Sequence, residues 1–176
     1  MNMIRVVVFG LIMLCSCNTS NAQEYPVFLT EEGHIIVQVM LNEKVQANFI
    51  LDTGAGAIVL SSKTFEKIKD QSDEEGFFTG FRHDGDRVDG VLYKSASIAI
   101  GEFKKENFFF GIYPPLDAYG IDGLISLKFF ENQAFSIDLQ NSKIKFLSND
   151  QVEELAKANT QIPLSLDQKG EVSLDI

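Results

Sequence analysis

The sequence is poor in the residues that form disulfides and metal sites. Its 176 residues include two cysteines, Cys15 and Cys17, and two histidines, His34 and His83. Both cysteines lie close to the N-terminus, and neither histidine has a cysteine or histidine neighbour at ligand spacing. The sequence therefore predicts neither a disulfide nor a thiolate or imidazole metal site in the folded part of the chain. Packing must supply its stability.

Basic residues are outnumbered as well. The chain has 15 lysines and arginines against 25 aspartates and glutamates, which gives a formal charge of -10 and a pI near 4.6. This charge argues against attraction to nucleic-acid phosphates or to an anionic membrane surface, so we expect no nucleic-acid partner. A chain of 176 residues is long enough for one good core and short for two domains, which predicts one main domain.

The N-terminus has the pattern of an export signal over residues 1–22. Arg5 precedes an apolar run that is too short to span a membrane and is followed by small residues. Two processing sites fit this segment. Ser20-Asn21-Ala22 has the form of an ordinary cleavage site, whereas Leu14-Cys15-Ser16-Cys17 resembles a bacterial lipobox that would leave Cys17 lipidated. We expect an exported protein of the periplasm or cell envelope, which contacts the membrane only through such a lipid anchor.

One acid lies in a turn of small residues between two apolar runs. The segment FILDTGAGAIVL at residues 49–60 predicts two strands joined by a turn, with Asp52 at the end of the first strand. Glycine suits a turn because it tolerates positive φ, and the small residues leave room for a ligand beside the acid. Thr53 carries a hydroxyl that can donate to a neighbouring backbone. The simpler interpretation is a plain hairpin turn.

This segment resembles the active-site loop of the aspartic peptidases, in which Asp-Thr-Gly-Ala or Asp-Thr-Gly-Ser follows an apolar strand. A second segment, IDGLISLKFF at residues 121–130, resembles a later motif of that family, where Asp-Gly and two apolar residues lead into a short helix. Ser126 stands where the family usually has a second glycine. The resemblance covers about residues 25–146 and is to the retropepsin-like group. It implies an all-β fold, a closed acid-protease β-barrel lobe with two or three short helices.

The resemblance also implies roles for particular residues. Asp52 would be catalytic, supported in its loop by Thr53, Gly54 and Ala55, and the second motif would contribute Asp122 and Gly123. Catalysis in this family uses neither a metal nor an organic cofactor, so we expect none here.

A glycine-rich and aromatic segment at residues 77–90 falls where these peptidases carry their flap. We interpret it as either disordered or a mobile lid, with flap residues Gly80, Phe81, Gly85 and Gly90. The spacing of its aspartates, Asp84, Asp86 and Asp89, is also that of a calcium loop. No glutamate follows at the position that would complete such a loop, so we predict no metal there.

The remaining chain alternates between apolar and polar residues over short stretches. This pattern predicts strands at residues 26–29, 34–41, 45–51, 91–100, 103–113, 134–139 and 143–147. It predicts helices at 61–69, through Asn132 after the second motif, and from Asn149 or Asp150 to about Lys157, with an acidic loop at 71–76. We therefore expect a lobe at residues 23–148 and a helical linker at 149–161.

The last segment, residues 162–176, repeats the start of the lobe at a constant offset of 137. Pro163 matches Pro26, Gly170 matches Gly33, and Val172, Leu174 and Ile176 match Ile35, Val37 and Val39. The alternative is that any strand after a proline, followed by a glycine turn, would align as well. If the repeat is real, a second lobe begins here, and its aspartate would fall at position 189.

The chemistry of aspartic peptidases needs two carboxylates that share a proton, and this sequence contains one Asp-Thr-Gly. The resemblance thus predicts an aspartic-type endopeptidase of peptides or proteins whose second aspartate comes from a homodimer partner or a tandem second lobe. Two alternatives stay open. One is an inactive peptide-binding module of the same fold, and the other is an envelope β-barrel that binds a small ligand.

Overall fold

The computed structural model describes residues 23–81 and 85–162, together with the backbone of residues 165–166 and 172–173. Strands dominate this part of the chain, which confirms the prediction of an all-β fold. The strands are β1 (Glu24–Leu29), β2 (Ile35–Leu41), β3 (Val45–Asp52), β4 (Ile58–Leu60), β5 (Ser72–Phe81), β6 (Arg87–Ile100), β7 (Phe103–Ile112), β8 (Gly123–Ser126), β9 (Phe135–Asp138), β10 (Lys143–Phe146), β11 (Ser165–Leu166) and β12 (Val172–Ser173). The α-helices are α1 (Ser62–Ile68), α2 (Leu116–Tyr119) and α3 (Asn149–Ala158), and short 3-10 helices cover Lys69–Gln71 and Leu127–Phe130.

Six strands close into a barrel. Their order is β6, β7, β4, β8, β3 and β2, and the pairing of β2 with β6 closes the ring. β8 lies between β3 and β4, parallel to β3 and antiparallel to β4. The chain therefore leaves the barrel at the end of β3 and re-enters it on the far side of β8. This crossing places the turn at residues 53–57 beside the end of β8.

Apolar side chains fill the barrel. Along β2, the inward residues Val37, Val39 and Leu41 are fully buried while Gln38 between them is exposed. The same alternation directs large side chains inward from the other barrel strands, among them Phe49, Phe110, Leu60, Ile98, Ile100 and Ile125, which are fully buried. Phe129, from the 3-10 helix Leu127–Phe130, is fully buried as well. A barrel of six strands filled in this way has a packed interior, so any binding site of this lobe lies on its outside.

The segment after α1 differs from the sequence prediction. Residues 71–76 are predicted to be a loop and residues 77–90 to be either disordered or a mobile lid, but β5 pairs with β6 from Ser72↔Ser95 to Phe81↔Arg87. The loop is wrong, and the mobile lid stays a prediction. The acidic residues fit a strand because this hairpin extends beyond the barrel and its outer face meets solvent. A bulge between Glu74 and Gly76 absorbs one extra residue. We call β5 and the part of β6 paired with it the flap hairpin. His83 and Asp84 lie outside the described residues.

Helix ends follow capping chemistry. Ser61 caps α1, because its side-chain hydroxyl accepts a hydrogen bond from the Thr64 amide. This agrees with the predicted helix at residues 61–69, which starts at this hydroxyl residue. For α3 the predicted caps, Asn149 and Asp150, are wrong by one residue or more, because Ser148 is the cap and forms a capping box with Gln151. α2 is absent from the sequence prediction. It is a single turn after Pro115, and it ends at Gly120 with φ of 68°.

The C-terminal strands are not part of the barrel sheet. β11 and β12 pair with each other and with no other described strand. Before them, α3 buries none of its residues and leaves its apolar side chains Val152 and Leu155 exposed. No helix within the described ranges combines the length and apolar character needed to cross a bilayer. The assignments of 149–161 as a linker and 162–176 as the start of a second lobe stay predictions.

The first testable prediction concerns Gly123, where β8 passes closest to its neighbours. A Cβ at Gly123 would lie 2.7 Å from the carbonyl oxygen of Val59 and 2.6 Å from the Phe49 ring. Gly123→Ala should therefore lower the free energy of unfolding by about 1–3 kcal/mol, measured by urea denaturation. Gly80→Ala is the matched control because its Cβ would meet nothing closer than 3.9 Å. Equal stability of the two variants would contradict the tight β4–β8 packing.

Candidate active site

Asp52 is the last residue of β3 and is only partly buried. The turn that follows it fixes one side of its carboxylate, because Oδ1 accepts a hydrogen bond from the Gly54 amide at 2.9 Å. The Ala55 amide donates to the Asp52 carbonyl at 3.3 Å and closes the turn. Oδ2 makes no hydrogen bond to any described residue. One carboxylate oxygen is thus held by the backbone while the other is available to a ligand.

One expectation for this turn is wrong in detail, and the donor role of Thr53 stays a prediction. Gly54 is not at positive φ, so the turn does not need glycine for that reason. A Cβ at Gly54 would instead lie 3.5 Å from Asp52 Oδ1, so glycine keeps the approach to the carboxylate open. Thr53 is exposed, and its hydroxyl makes no bond to a neighbouring backbone within the described residues. The residues next to Asp52 therefore form an accessible surface.

Asp122 has a different environment although it too lies close to a glycine in the sequence. Its Oδ2 accepts from the Asn48 amide at 2.9 Å and its Oδ1 from the Thr64 hydroxyl at 3.0 Å. Its own amide donates to the Asn48 carbonyl, and its carbonyl accepts from the Ser61 amide. Lys67 lies 3.9 Å from Oδ1. Asp122 therefore ties β3, the start of β8 and the start of α1 together, which is a structural role.

Ser126 is the direct partner of Asp52 in the parallel β3–β8 pairing. Its side chain is fully buried, and its hydroxyl has no hydrogen-bond partner among the described residues. A buried hydroxyl without a partner costs about 1–3 kcal/mol, so its retention beside Asp52 calls for an explanation. The residue that departs from the family pattern is thus the one beside the candidate catalytic acid.

An apolar surface adjoins Asp52. Because partners in a parallel pair direct their side chains to the same face, Ile50 and Leu124 lie on the same side of the sheet as Asp52. Val59 pairs with Leu124 across β4 and β8 and extends this row. All three of these side chains are half-buried. An acid beside half-buried apolar side chains is suited to binding an extended polypeptide, which has both polar backbone groups and apolar side chains.

The flap hairpin is joined to this surface by Phe78. Its ring occupies the space left by two glycines, since a Cβ would lie 2.7 Å from it at Gly90 and 2.4 Å from it at Gly111. Gly111 pairs with Val59, so Phe78 continues the apolar row onto the flap hairpin. The sequence predicted Gly90 as a flap residue, and the structure gives it a packing role. Phe77 and Phe81 remain 86% and 54% exposed.

Charged groups link the two strands of the flap hairpin. Thr79 and Arg87 both donate hydrogen bonds to the Asp89 carboxylate. The Thr79 hydroxyl and the Arg87 guanidinium hold the pKa of the Asp89 carboxyl below its ordinary value near 3.8. Of the other predicted flap residues, Gly80 lies in β5 and Gly85 lies between the strands with φ of 88°. No cluster of three or more potential metal ligands exists within the described part of the chain.

The segment that contains this site matches a known protein family. A sequence profile described as aspartyl protease matches residues 37–129, which include both Asp52 and the second motif. The chain belongs to the aspartyl protease family. This confirms the resemblance on which the sequence prediction was based. A search of curated protein sequences gave no significant match.

Solved structures of similar fold include two with TM-scores above 0.5. A retropepsin-like aspartic protease from Rickettsia conorii has a TM-score of 0.52 and 19% identity, over 72% of this aspartyl protease and 92% of that chain. Conglutin gamma, a basic 7S globulin from lupine seeds, has a TM-score of 0.55 and 11% identity, over 86% of this chain. The present chain spans 58% of the length of that globulin. At these identities the likeness establishes the retropepsin-like fold alone.

The structure brings together part of the predicted site. Asp52, Thr53, Gly54 and Ala55 form one turn, whereas Asp122 lies at the opposite end of β8 from the partner of Asp52. Sequence reasoning missed the apolar row and the ring of Phe78. The row follows from the register of two parallel strands, which the sequence does not reveal, because local patterns are silent about which distant strands pair. The roles assigned to these residues stay predictions.

The contrast between the two acids gives a second prediction. Asp122→Asn leaves a single side-chain acceptor where two carboxylate oxygens now accept, so it should lower the free energy of unfolding by about 1–3 kcal/mol. Asp52→Asn keeps an acceptor for the Gly54 amide and should change stability by less than about 0.5 kcal/mol. Urea denaturation of both variants measures the difference. A loss of stability in Asp52→Asn as large as in Asp122→Asn would contradict the assigned roles.

A third prediction concerns the stability of the flap hairpin at low pH. The pKa of Asp89 is lower in the folded than in the unfolded state, so its bonds stabilise the hairpin at higher pH. This contribution is complete above about pH 4 and is lost as the pH falls through the folded-state pKa. Hydrogen exchange at Thr79 and Asp89, corrected for intrinsic rates, should therefore accelerate below about pH 4 relative to amides of β3.

The control for this prediction is Asp89→Asn, which keeps an acceptor and removes the titrating group. Exchange at Thr79 in this variant should lose its extra acid sensitivity. If the wild-type hairpin were no more sensitive to acid than the variant, the pairing of Asp89 with Thr79 and Arg87 would not stabilise it.

Proposed function

We propose that the protein is an exported aspartic-type endopeptidase in which Asp52 activates the water that attacks a peptide bond. Membership of the aspartyl protease family supports the class of chemistry. The observation that carries the assignment is the geometry of Asp52, the acid of the only Asp-Thr-Gly in the sequence. One of its oxygens is fixed by the Gly54 amide, and the other is available to a water or a substrate.

The proposed mechanism needs a second carboxylate. Two carboxylates that face each other cannot both ionise, so one accepts a proton from water while the other, protonated, donates a hydrogen bond to the peptide carbonyl. Their titration belongs to the pair. Asp122 cannot serve as this partner. It precedes β8 while Asp52 lies beside the last residue of β8, so four residues of strand, about 13 Å, separate the two positions along the sheet.

The partner carboxylate must then come from a second lobe of this kind, either a second copy of the chain or a further part of the same polypeptide. The accessible turn beside Asp52 supports this proposal, because Thr53 and Gly54 are exposed in the single lobe. A facing turn could approach to contact distance without displacing a side chain of the barrel. Water held between the two carboxylates would be the nucleophile.

The surface around Asp52 supports a peptide as substrate. The apolar row of Ile50, Leu124 and Val59 offers contacts for apolar side chains of an extended peptide. Phe78 joins this row to the flap hairpin, which could cover a bound peptide from the other side. The packed barrel interior argues against the alternative of a barrel that encloses a small ligand.

Export is a separate part of the proposal. It is supported by the order of Arg5, the apolar run and the small residues within residues 1–22, which lie outside the described residues. Processing at Ala22 would release a soluble enzyme into the envelope, and processing before Cys17 would leave it attached to the membrane by lipid. Mass spectrometry of the mature N-terminus distinguishes the two forms.

The fourth prediction tests the role of Asp52. Asp52→Asn should lower kcat/KM for peptide cleavage by about 10²–10⁴ in the assembled enzyme, because a proton-transfer group is removed with little change of shape. Asp150→Asn changes an exposed acid of α3 and is the matched control, which should leave kcat/KM unchanged.

Retention of most of the activity in Asp52→Asn would rule out the proposed catalytic role. If instead the wild-type protein bound peptides and never cleaved them, the inactive peptide-binding module would be the correct description.

A further inference from the structure

The hairpin formed by β11 and β12 has the same register as the hairpin formed by β1 and β2. In the first hairpin Phe28 pairs with Ile36 and Leu29 with Ile35. In the last, Ser165 pairs with Ser173 and Leu166 with Val172, so every paired residue lies 137 positions after its counterpart. Each hairpin thus closes across five residues, and the fourth of them is a glycine, Gly33 or Gly170.

Burial in the first hairpin predicts the residue types in the last. The inward residues Val27, Val37 and Val39 are buried, and apolar residues occupy the corresponding positions of the repeat, Leu164, Leu174 and Ile176. Phe28 is 55% exposed and Gln38 is also exposed, and their counterparts are the polar Ser165 and Asp175. Two positions do not follow this rule, because Ser173 replaces Ile36, which is 9% exposed, and the apolar Leu166 replaces Leu29, which is 59% exposed. The sequence of the repeat thus has apolar residues at the positions that the barrel covers in the first hairpin.

The sheet of the lobe at residues 23–148 is complete without the C-terminal strands. β1 already pairs with both β2 and β10, and the barrel is closed without the C-terminal strands. An isolated two-stranded hairpin is marginally stable in water and needs further strands or a covering layer. α3, about 15 Å long, separates the two parts and buries none of its own residues.

We propose that the segment from Pro163 onward is the first hairpin of a second lobe with the same fold, and that this lobe completes the site of Asp52. The offset places its catalytic aspartate at position 189. The role of that aspartate rests on the proposed peptidase function, whereas the structural repeat rests on register and burial. The partner of Asp52 is then a homologous lobe of the same polypeptide, not a second copy of this one.

The repeat can be tested by exchanging the hairpins. In the exchanged chain, residues 26–39 are replaced by the sequence of residues 163–176, PLSLDQKGEVSLDI. The inward positions stay apolar, so circular dichroism should show a folded β protein with cooperative urea unfolding. The control has the same 14 residues with the alternation shifted by one position, which turns the apolar set outward and should prevent folding. An exchanged chain no more stable than this control would overturn the repeat.

Assembly can be tested with a tandem chain in which residues 23–162 are followed directly by residues 26–148. This arrangement puts a second copy of the Asp52 carboxylate at position 189. The tandem chain should sediment as a monomer, and at nanomolar concentration its specific activity should exceed that of residues 23–176 by at least about 100-fold. Asp52→Asn, or the same substitution at position 189 of the tandem chain, should abolish this gain in specific activity.

The outcomes separate the two proposals. If residues 23–176 alone formed a dimer whose specific activity rose with concentration, a second copy would complete the site, and the second-lobe proposal would be wrong while the peptidase function stood. If the tandem chain were folded but inactive, the peptidase proposal would fail. The hairpin exchange would then still decide whether the repeat is real.

Discussion

The parallel pairing of β3 with β8 is the interaction on which the rest of the lobe depends. It joins residues 74 positions apart and brings Asp52 beside Ser126. Its far end is held by Asp122, whose carboxylate accepts bonds from the Asn48 amide and the Thr64 hydroxyl. Gly123 makes the close approach of β8 to β4 feasible because no side chain would fit there. Without this pairing the barrel would not close around the turn that carries the candidate catalytic acid.

Two aspartates next to small residues thus take different roles because their surroundings differ. Asp122 has its oxygens occupied by donors from β3 and α1, so its carboxylate is part of the framework. Asp52 has one oxygen held by the Gly54 amide and faces solvent with the other. The sequence neighbours of the two acids, Thr53 and Gly123, do not reveal these roles. The distinction lies in how many donors the folded chain brings to each carboxylate, which is a property of the tertiary structure.

The sequence predicted those features that local chemistry decides. Alternation located β2 and β3, and a serine before a helical pattern located the cap of α1. The acidic part of β5 was missed because charged residues are typical of loops, and only its pairing with β6 outside the barrel makes a strand there favourable. The apolar row beside Asp52 was missed for a related reason. It is assembled from three strands distant in sequence, and its members are ordinary strand residues when taken one at a time.

We infer that this lobe carries half of a two-carboxylate site. The most direct test is a calorimetric titration of residues 23–176 with a peptide-like inhibitor that has a hydroxyl in place of the scissile carbonyl, with the assembly state measured in the same solution. We expect no one-to-one complex between the inhibitor and a monomeric chain, because the two facing carboxyl groups that would hold that hydroxyl from both sides need a second lobe. A monomer that binds one inhibitor tightly, and loses it on Asp52→Asn, would contradict the claim.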